Sequence, residues 1–197
     1  MNRADVVLRR IVLIVALLNL AYFGIEFAVA LAIGSVSLFA DSVDFLEDAS
    51  VNILIVIALA WNAISRARVG MALSLILLVP AIATIWTAWD KFNLPVAPDP
   101  IPLSLTGAGA LAVNATCALL LARFRRHSGS LTRAAFLSAR NDVFANVAIV
   151  AAGLITALLW RSAWPDLIVG AGIAIMNADA AREVWEAARA EHIAAKA

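Results

Sequence analysis

Six long apolar segments follow one another along this chain, at approximately residues 9–33, 36–61, 69–89, 101–123, 131–160 and 164–181. The hydrocarbon core of a bilayer is about 30 Å thick and needs roughly 20 apolar residues per helix, and only helices or closed barrels satisfy their backbone there. The chain is 63% hydrophobic and 15% charged, whereas a soluble protein is about 45–50% apolar. We therefore predict an all-α integral membrane protein built as a bundle of six transmembrane helices.

The breaks between these segments predict the domain organisation and the orientation. Basic residues concentrate in alternate connections, at Arg66 and Arg68 and again at Arg125 and Arg126. The positive-inside rule places such connections, and with them both termini, in the cytoplasm. We expect a multi-pass protein of the cell (inner) membrane, with residues 1–181 as the transmembrane domain and residues 182–197 as a short cytoplasmic helical tail.

Composition excludes several classes of function. The formal net charge is +1, so no basic excess indicates nucleic-acid binding. The single cysteine, Cys117, has no partner for a disulfide or a redox pair and is interpreted as a packing residue. Because no Gly-rich phosphate loop or Ser-His-Asp set is present, conventional soluble catalysis has no candidate residues and no cofactor is expected.

Acidic residues inside the apolar segments are the strongest functional signal. A charged side chain at the centre of a membrane helix costs roughly 2.5–3.5 kcal/mol even on the mildest scale, so it indicates a function or a partner. Six carboxylates lie within predicted spans: Glu26, Asp41, Asp44, Glu47, Asp48 and Asp142.

These residues form two matched polar stripes. At 100° per residue, Asp41, Asp44, Asp48 and Asn52 lie within about 80° of one face of the second helix. In the fifth helix, Ser138, Asp142 and Asn146 repeat the i, i+4, i+8 spacing of Asp44, Asp48 and Asn52. With a rise of 1.5 Å per residue, Asp48 and Asp142 both lie about 16 Å deep, so we expect them to meet near the midplane.

Three carboxylates that converge in hydrocarbon need a divalent cation, bound protons or an arginine to neutralise them. Neither histidine, His127 or His192, lies within a span, so the available ligands are carboxylate, hydroxyl and amide oxygens. Hard divalent cations prefer such ligands. We predict an oxygen-rich metal site at Asp44, Asp48 and Asp142, with Ser138 as a weak or water-mediated ligand.

The remaining polar residues of the spans keep two interpretations. Asp41, Glu47, Asn52 and Asn146 are either accessory ligands or parts of the hydrogen-bond network between helices. Glu26 is a candidate for charge balance or a proton relay. Arg140 is expected to balance charge inside the bundle by pairing with Glu47 or Glu26.

Two motifs resemble those of the cation diffusion facilitator family. Residues 34–48, GSVSLFADSVDFLED, resemble its second-helix signature, and residues 138–142, SARND, resemble its fifth-helix HxxxD motif. Further likenesses are Asn19 and Glu26 in the first helix, Asn114 in the fourth, and residues 164–166, WPD, at the start of the sixth. The resemblance covers almost the entire chain.

The resemblance implies a proton-coupled antiporter that exports zinc, cobalt, manganese, iron or cadmium and works as a homodimer. Carried over to this sequence, it makes Asp44, Asp48 and Asp142 the metal ligands. Ser138 stands where the family commonly has histidine, so a nitrogen donor is missing. The chain resembles a short member without the usual cytoplasmic C-terminal domain, so dimerisation is expected through the transmembrane domain.

Two other functions are kept as alternatives. Asp41, Asp44 and Asp48 form a DxxDxxxD series that is compatible with a magnesium-dependent enzyme acting on lipid head groups. Phe45 follows Asp44, whereas the CDP-alcohol phosphotransferase pattern has glycine after its second aspartate. The other alternative is a passive cation channel or a scaffold subunit. Transport that depends on protons would distinguish an antiporter from a channel.

Overall fold

The computed structural model describes residues 3–58, 68, 82–123 and 129–194, and these segments are helical apart from short connections. The helices are α1 (Arg3–Ile33), α2 (Val36–Ala58), α3 (residues 82–93), α4 (Pro100–Ala122), α5 (Gly129–Leu158) and α6 (Trp164–Ala194). Residues 3–58, 82–123 and 129–194 contain no β-strand. The prediction of an all-α fold is confirmed.

The helix bounds follow the predicted spans with local differences. α1 begins earlier than predicted, at Arg3, because its first two turns are charged and the hydropathy pattern does not include them. α6 continues without a break from its apolar half into the charged half that ends at Ala194. Most of the third predicted span lies outside the described residues, and its last part is in α3.

In the part of the chain that the structure describes, three helices are long and apolar enough to cross a membrane: Val6–Ile33, Pro100–Ala122 and Ser138–Leu158. Large apolar side chains on their surfaces are exposed, among them Leu17, Leu105 and Phe144. The interior holds asparagine and carboxylate side chains beside its apolar core, whereas a soluble protein seldom buries carboxylates without partners. The chain is therefore a multi-pass membrane protein, and six crossings stay a prediction.

A two-residue turn sets the angle between α1 and α2. Gly34 has φ +63°, which glycine adopts without a steric penalty. The amide of Ser35 donates to the carbonyl of Ala30 at 3.0 Å, the 6→1 bond that closes a Schellman motif. This turn lays α2 antiparallel to α1 along much of its length.

α2 is the central helix of the described bundle, since it contacts α1, α4, α5 and α6. Its start lies so close to α6 that a Cβ atom on Gly170 would come within 2.8 Å of the amide nitrogen of Ser37. Asn177 of α6 donates from Nδ2 to the Ala40 carbonyl at 3.1 Å. The acidic stripe of α2 is therefore held inside the bundle from several sides.

The amino-terminal end of α2 is capped by a carboxylate from a distant helix. Asp166 at the start of α6 accepts hydrogen bonds from the amides of Val36 (2.9 Å) and Ser37 (3.1 Å). It also accepts from the hydroxyls of Ser35 and Ser37, each at 2.6 Å. Lys91 of α3 completes the group at 3.3 Å from Asp166 and also donates to the Gly34 carbonyl. We call these residues the Asp166 cap.

Candidate metal centre

The interior between α1, α2, α4 and α5 is lined by polar side chains. Each neighbouring helix contributes one or more asparagines that are nearly inaccessible to solvent: Asn19, Asn52, Asn114 and Asn146, with exposures of 0–2%. Buried polar groups need hydrogen-bond partners, so these amides orient whatever charged groups lie among them. Those charged groups are the carboxylates of α1, α2 and α5.

Asp48 is the residue on which the contacts converge. Its Oδ1 accepts a hydrogen bond from the Ser138 hydroxyl of α5 at 2.9 Å. Its Oδ2 lies 3.4 Å from Nδ2 of Asn19 in α1. Asn19 is itself contacted by the Cys117 thiol of α4, at 3.5 Å from its Oδ1. Three helices therefore hold one carboxylate of α2 in place.

Asp142 completes the link between α2 and α5. It lies one helical turn after Ser138, and its carboxyl group is within hydrogen-bonding reach of the Asp48 carboxyl group. Asp142 is 8% exposed, so little solvent is available to separate the two charges. α2 and α5 therefore approach each other at Asp48, Ser138 and Asp142.

Asp44 lies one turn before Asp48 on α2, close enough to interact electrostatically with Asp142, Asp48 and Glu47. It is partly exposed, as is Asp48. Ser138, Asp44, Asp48 and Asp142 together offer only oxygen atoms, and we call them the Asp48 cluster. Among the side chains that the structure describes, no three of His, Cys, Asp or Glu are arranged to hold one metal ion jointly.

The candidate accessory residues divide between this cluster and a second group. Asn52 donates from Nδ2 to the backbone carbonyl of Asp48 at 2.7 Å, and Glu47 is 8% exposed beside Asp48. Asn146 instead donates to Oδ2 of Asp41 at 2.5 Å and accepts from Asn114 at 3.1 Å. Asn146 and Asp41 are thus hydrogen-bonded to each other rather than to the Asp48 cluster.

The expected pairing of Arg140 is not found. Its side chain is exposed, and its guanidinium donates to the neighbouring Asn141 at 3.4 Å. Because each residue of an α-helix is rotated by about 100° around the axis, Arg140 lies about 200° from Asp142 on α5. The Arg140 side chain therefore points away from the bundle. Glu26 is 0% exposed and, like Glu47, has no ion pair with Arg140 within the described chain.

Two features of the site were not predicted from the sequence. The first is the support of Asp48 by Asn19 and Cys117, since Cys117 was interpreted only as packing. The second is the Asp166 cap, although the serines at 35 and 37 and the lone Lys91 were visible signals. Both depend on contacts between helices that are distant in sequence.

The family model described as Cation efflux transmembrane domain matches residues 12–190 of this chain. The matched range contains the Asp48 cluster, the supporting amides and the Asp166 cap. A search of curated proteins found no match.

Proposed function

The chain belongs to the cation efflux (cation diffusion facilitator) family, and from that premise we propose that it exports a divalent metal cation from the cytoplasm in exchange for protons. The observation that carries the proposal is that the Asp48 carboxyl group, to which Ser138 of α5 donates at 2.9 Å, lies within hydrogen-bonding reach of the Asp142 carboxyl group inside an apolar bundle. Two like charges so close together inside an apolar bundle require a cation or protons.

Asp44, Asp48 and Asp142 are proposed as the metal ligands, with Ser138 as a weak fourth ligand, after a change of side-chain conformation brings the three carboxylates around one ion. Asp48 and Asp142 come from different helices, so a bound divalent ion would tie α2 to α5 through charge-assisted contacts. When protons replace the ion, Ser138 and Asn19 remain available as hydrogen-bond partners of Asp48. The same residues thereby serve both the loaded and the protonated states.

Exchange follows from charge balance. A carboxylate pair in a medium of low polarity strongly favours one neutralised state over a state with two free charges. Metal binding must therefore release protons, and proton binding must release metal. Alternating access of the Asp48 cluster to the two sides would then couple the two fluxes.

The proposal includes the orientation and assembly of the molecule. Both termini would lie in the cytoplasm of a cell (inner) membrane, on the side of the basic connections. The Asp166 cap would then face the opposite side. A homodimer would form through transmembrane helices. The cargo would be zinc, cobalt, manganese, iron or cadmium, and the oxygen-only ligand set supports manganese, iron or cobalt over zinc.

The testing experiment is metal uptake into proteoliposomes with and without a proton gradient, across these five metals. Asp48→Asn removes the negative charge but keeps the size of the side chain and a hydrogen-bond acceptor for Ser138. We expect it to lower proton-driven flux by about 100-fold or more, the range found when a charged group with several hydrogen-bond partners in a site of low polarity is removed. The matched control is Asp179→Asn, the same replacement at an exposed position of α6.

The outcomes separate the candidate functions. Flux that depends on Asp48 and on the proton gradient supports an antiporter. Flux that depends on Asp48 but ignores the proton gradient identifies a channel instead. If Asp48→Asn transports as well as the control, the Asp48 cluster is not the metal site.

A further inference from the structure

Glu26 of α1 and Asp41 of α2 form a second buried acidic group next to the Asp48 cluster. Both side chains are 0% exposed. The two carboxyl groups are within hydrogen-bonding reach of each other. We call them the carboxyl pair.

Three of the four oxygens of the carboxyl pair have no donor. Both oxygens of Glu26 and Oδ1 of Asp41 are buried without a hydrogen-bond partner, whereas Oδ2 of Asp41 accepts from Asn146. An unsatisfied buried charged oxygen is among the most costly groups in a protein. Two ionised carboxylates have no hydrogen to share, but a carboxylic acid donates to a carboxylate. One proton on Glu26 would therefore turn the pair into a satisfied hydrogen bond.

The surroundings of the pair contain no described cation that could replace this proton. From α1, Tyr22 is nearby, but its hydroxyl donates to the Thr106 carbonyl of α4 at 2.6 Å. Asp44 of α2 faces Glu26, and Asp48 of α2 and Asp142 of α5 interact with Asp41. Asn114 of α4 donates to Asn146, the hydrogen-bond partner of Asp41, and Asn177 of α6 donates to the Ala40 carbonyl. Within the described residues, the groups that face the pair are acidic or neutral.

We propose that Glu26 and Asp41 bind one proton between them, at a site separate from the metal-binding Asp48 cluster. This inference rests on the proposed function. Asp41 lies one turn before Asp44 on the same helix, so a divalent cation in the Asp48 cluster repels the proton across a medium of low polarity. Glu26 then becomes a carboxylate and the proton leaves to water. The pair supplies a coupling proton without giving up a metal ligand.

A direct test is the infrared spectrum of the purified metal-free protein. The wild type minus Glu26→Gln difference spectrum is expected to contain the carbonyl stretching band of a protonated carboxylic acid. Asp41→Asn is expected to shift this band, because the hydrogen-bond acceptor of the Glu26 hydroxyl changes. Glu186→Gln is the matched control at an exposed position of α6 and should leave the band in place. Absence of the band from the difference spectrum would overturn the proposal.

A transport measurement gives the second test. In proteoliposomes, the ratio of metal flux with a proton gradient to flux without one is expected to fall below the wild-type ratio in Glu26→Gln, since the neutral amide has no proton to exchange and only the Asp48 cluster remains to exchange protons. Glu186→Gln should keep the wild-type ratio. A wild-type ratio in Glu26→Gln, or loss of flux under both conditions, would overturn the proposal. If the wild type itself moves no metal, the proposed function fails, and the infrared band still decides whether the pair holds a proton.

Discussion

Ser138 is the residue that most directly distinguishes this site from a zinc site with a nitrogen ligand. Its hydroxyl donates to Asp48 at 2.9 Å and so points at the cluster in which a metal ion would bind. A neutral hydroxyl is a weak ligand, and zinc prefers nitrogen or sulfur donors in four-coordinate sites. The preference among divalent metals should therefore depend on this one position.

We predict that Ser138→His changes metal selectivity in favour of zinc. The imidazole would add a nitrogen donor one turn from Asp142, and the ratio of zinc flux to manganese flux should rise on the order of tenfold, equivalent to about 1.4 kcal/mol. The measurement is competitive uptake into proteoliposomes. Ser138→Ala serves as the control that removes the hydroxyl without adding nitrogen. An equal ratio in wild type and Ser138→His would contradict a ligand position at residue 138.

The residues of the Asp48 cluster could be predicted because each feature is local. Asp44 and Asp48 repeat at helical spacing, and Ser138 and Asp142 repeat it again. A charge within an apolar span is costly wherever the helix packs, so the signal needs no tertiary information. The supporting contact from Asn19 could not be assigned in this way, because many neutral amides only join helices. Which side chain an asparagine meets depends on how the helices cross.

At the scale of the helices, the Asp166 cap connects the starts of α2 and α6 with the end of α3. The first free amides of a helix need acceptors, and the helix dipole favours a negative charge at this end. Ser35 accepts from the Leu38 amide at 3.2 Å, which is the usual hydrogen bond of a serine N-cap. The amides of Val36 and Ser37 bind Asp166 instead, which lies 130 and 129 residues away. Local capping rules predict only the first of these contacts.

We predict that Asp166→Asn destabilises the bundle. The amide cannot accept hydrogen bonds with its nitrogen, and Lys91, which is 8% exposed, loses its carboxylate partner. Breaking a buried ion pair from one side costs about 3–5 kcal/mol. The measurement is thermal unfolding of the detergent-solubilised protein, with Asp179→Asn as the exposed control.

The partner variant Lys91→Met makes this test specific for the pair. If the two residues interact as the structure shows, the loss of unfolding free energy in the double variant should be smaller than the sum of the losses in the two single variants. The expected difference is about 0.5–3 kcal/mol. Additive effects would contradict a direct interaction between Lys91 and Asp166. The same variants would show whether the cap influences transport, because α2 also carries the Asp48 cluster.

For the molecule as a whole, the structure buries several carboxylates and amides beside its apolar core and exposes large apolar side chains on its outer surface. Glu26, Asp41 and Asn146 are 0% exposed, while Leu105 and Leu158 are 69% and 77% exposed. Hydropathy alone predicted this all-helical membrane class. The packing of α2 between α1, α5 and α6 was not predictable in detail, because apolar helices give no sequence signal for which face meets which neighbour.

The orientation in the membrane is the last prediction, and cysteine labelling tests it. Val96 precedes α4 and is 72% exposed, whereas Ala190 is exposed near the end of α6. The positive-inside rule and an even number of spans place Val96 outside and Ala190 inside. An impermeant thiol reagent should therefore label Val96→Cys in intact cells and Ala190→Cys only after permeabilisation. The native Cys117 is 0% exposed, so the wild type is the unlabelled control. Labelling of Ala190→Cys in intact cells would place the end of α6 outside the cell and would contradict the orientation from which export was assigned.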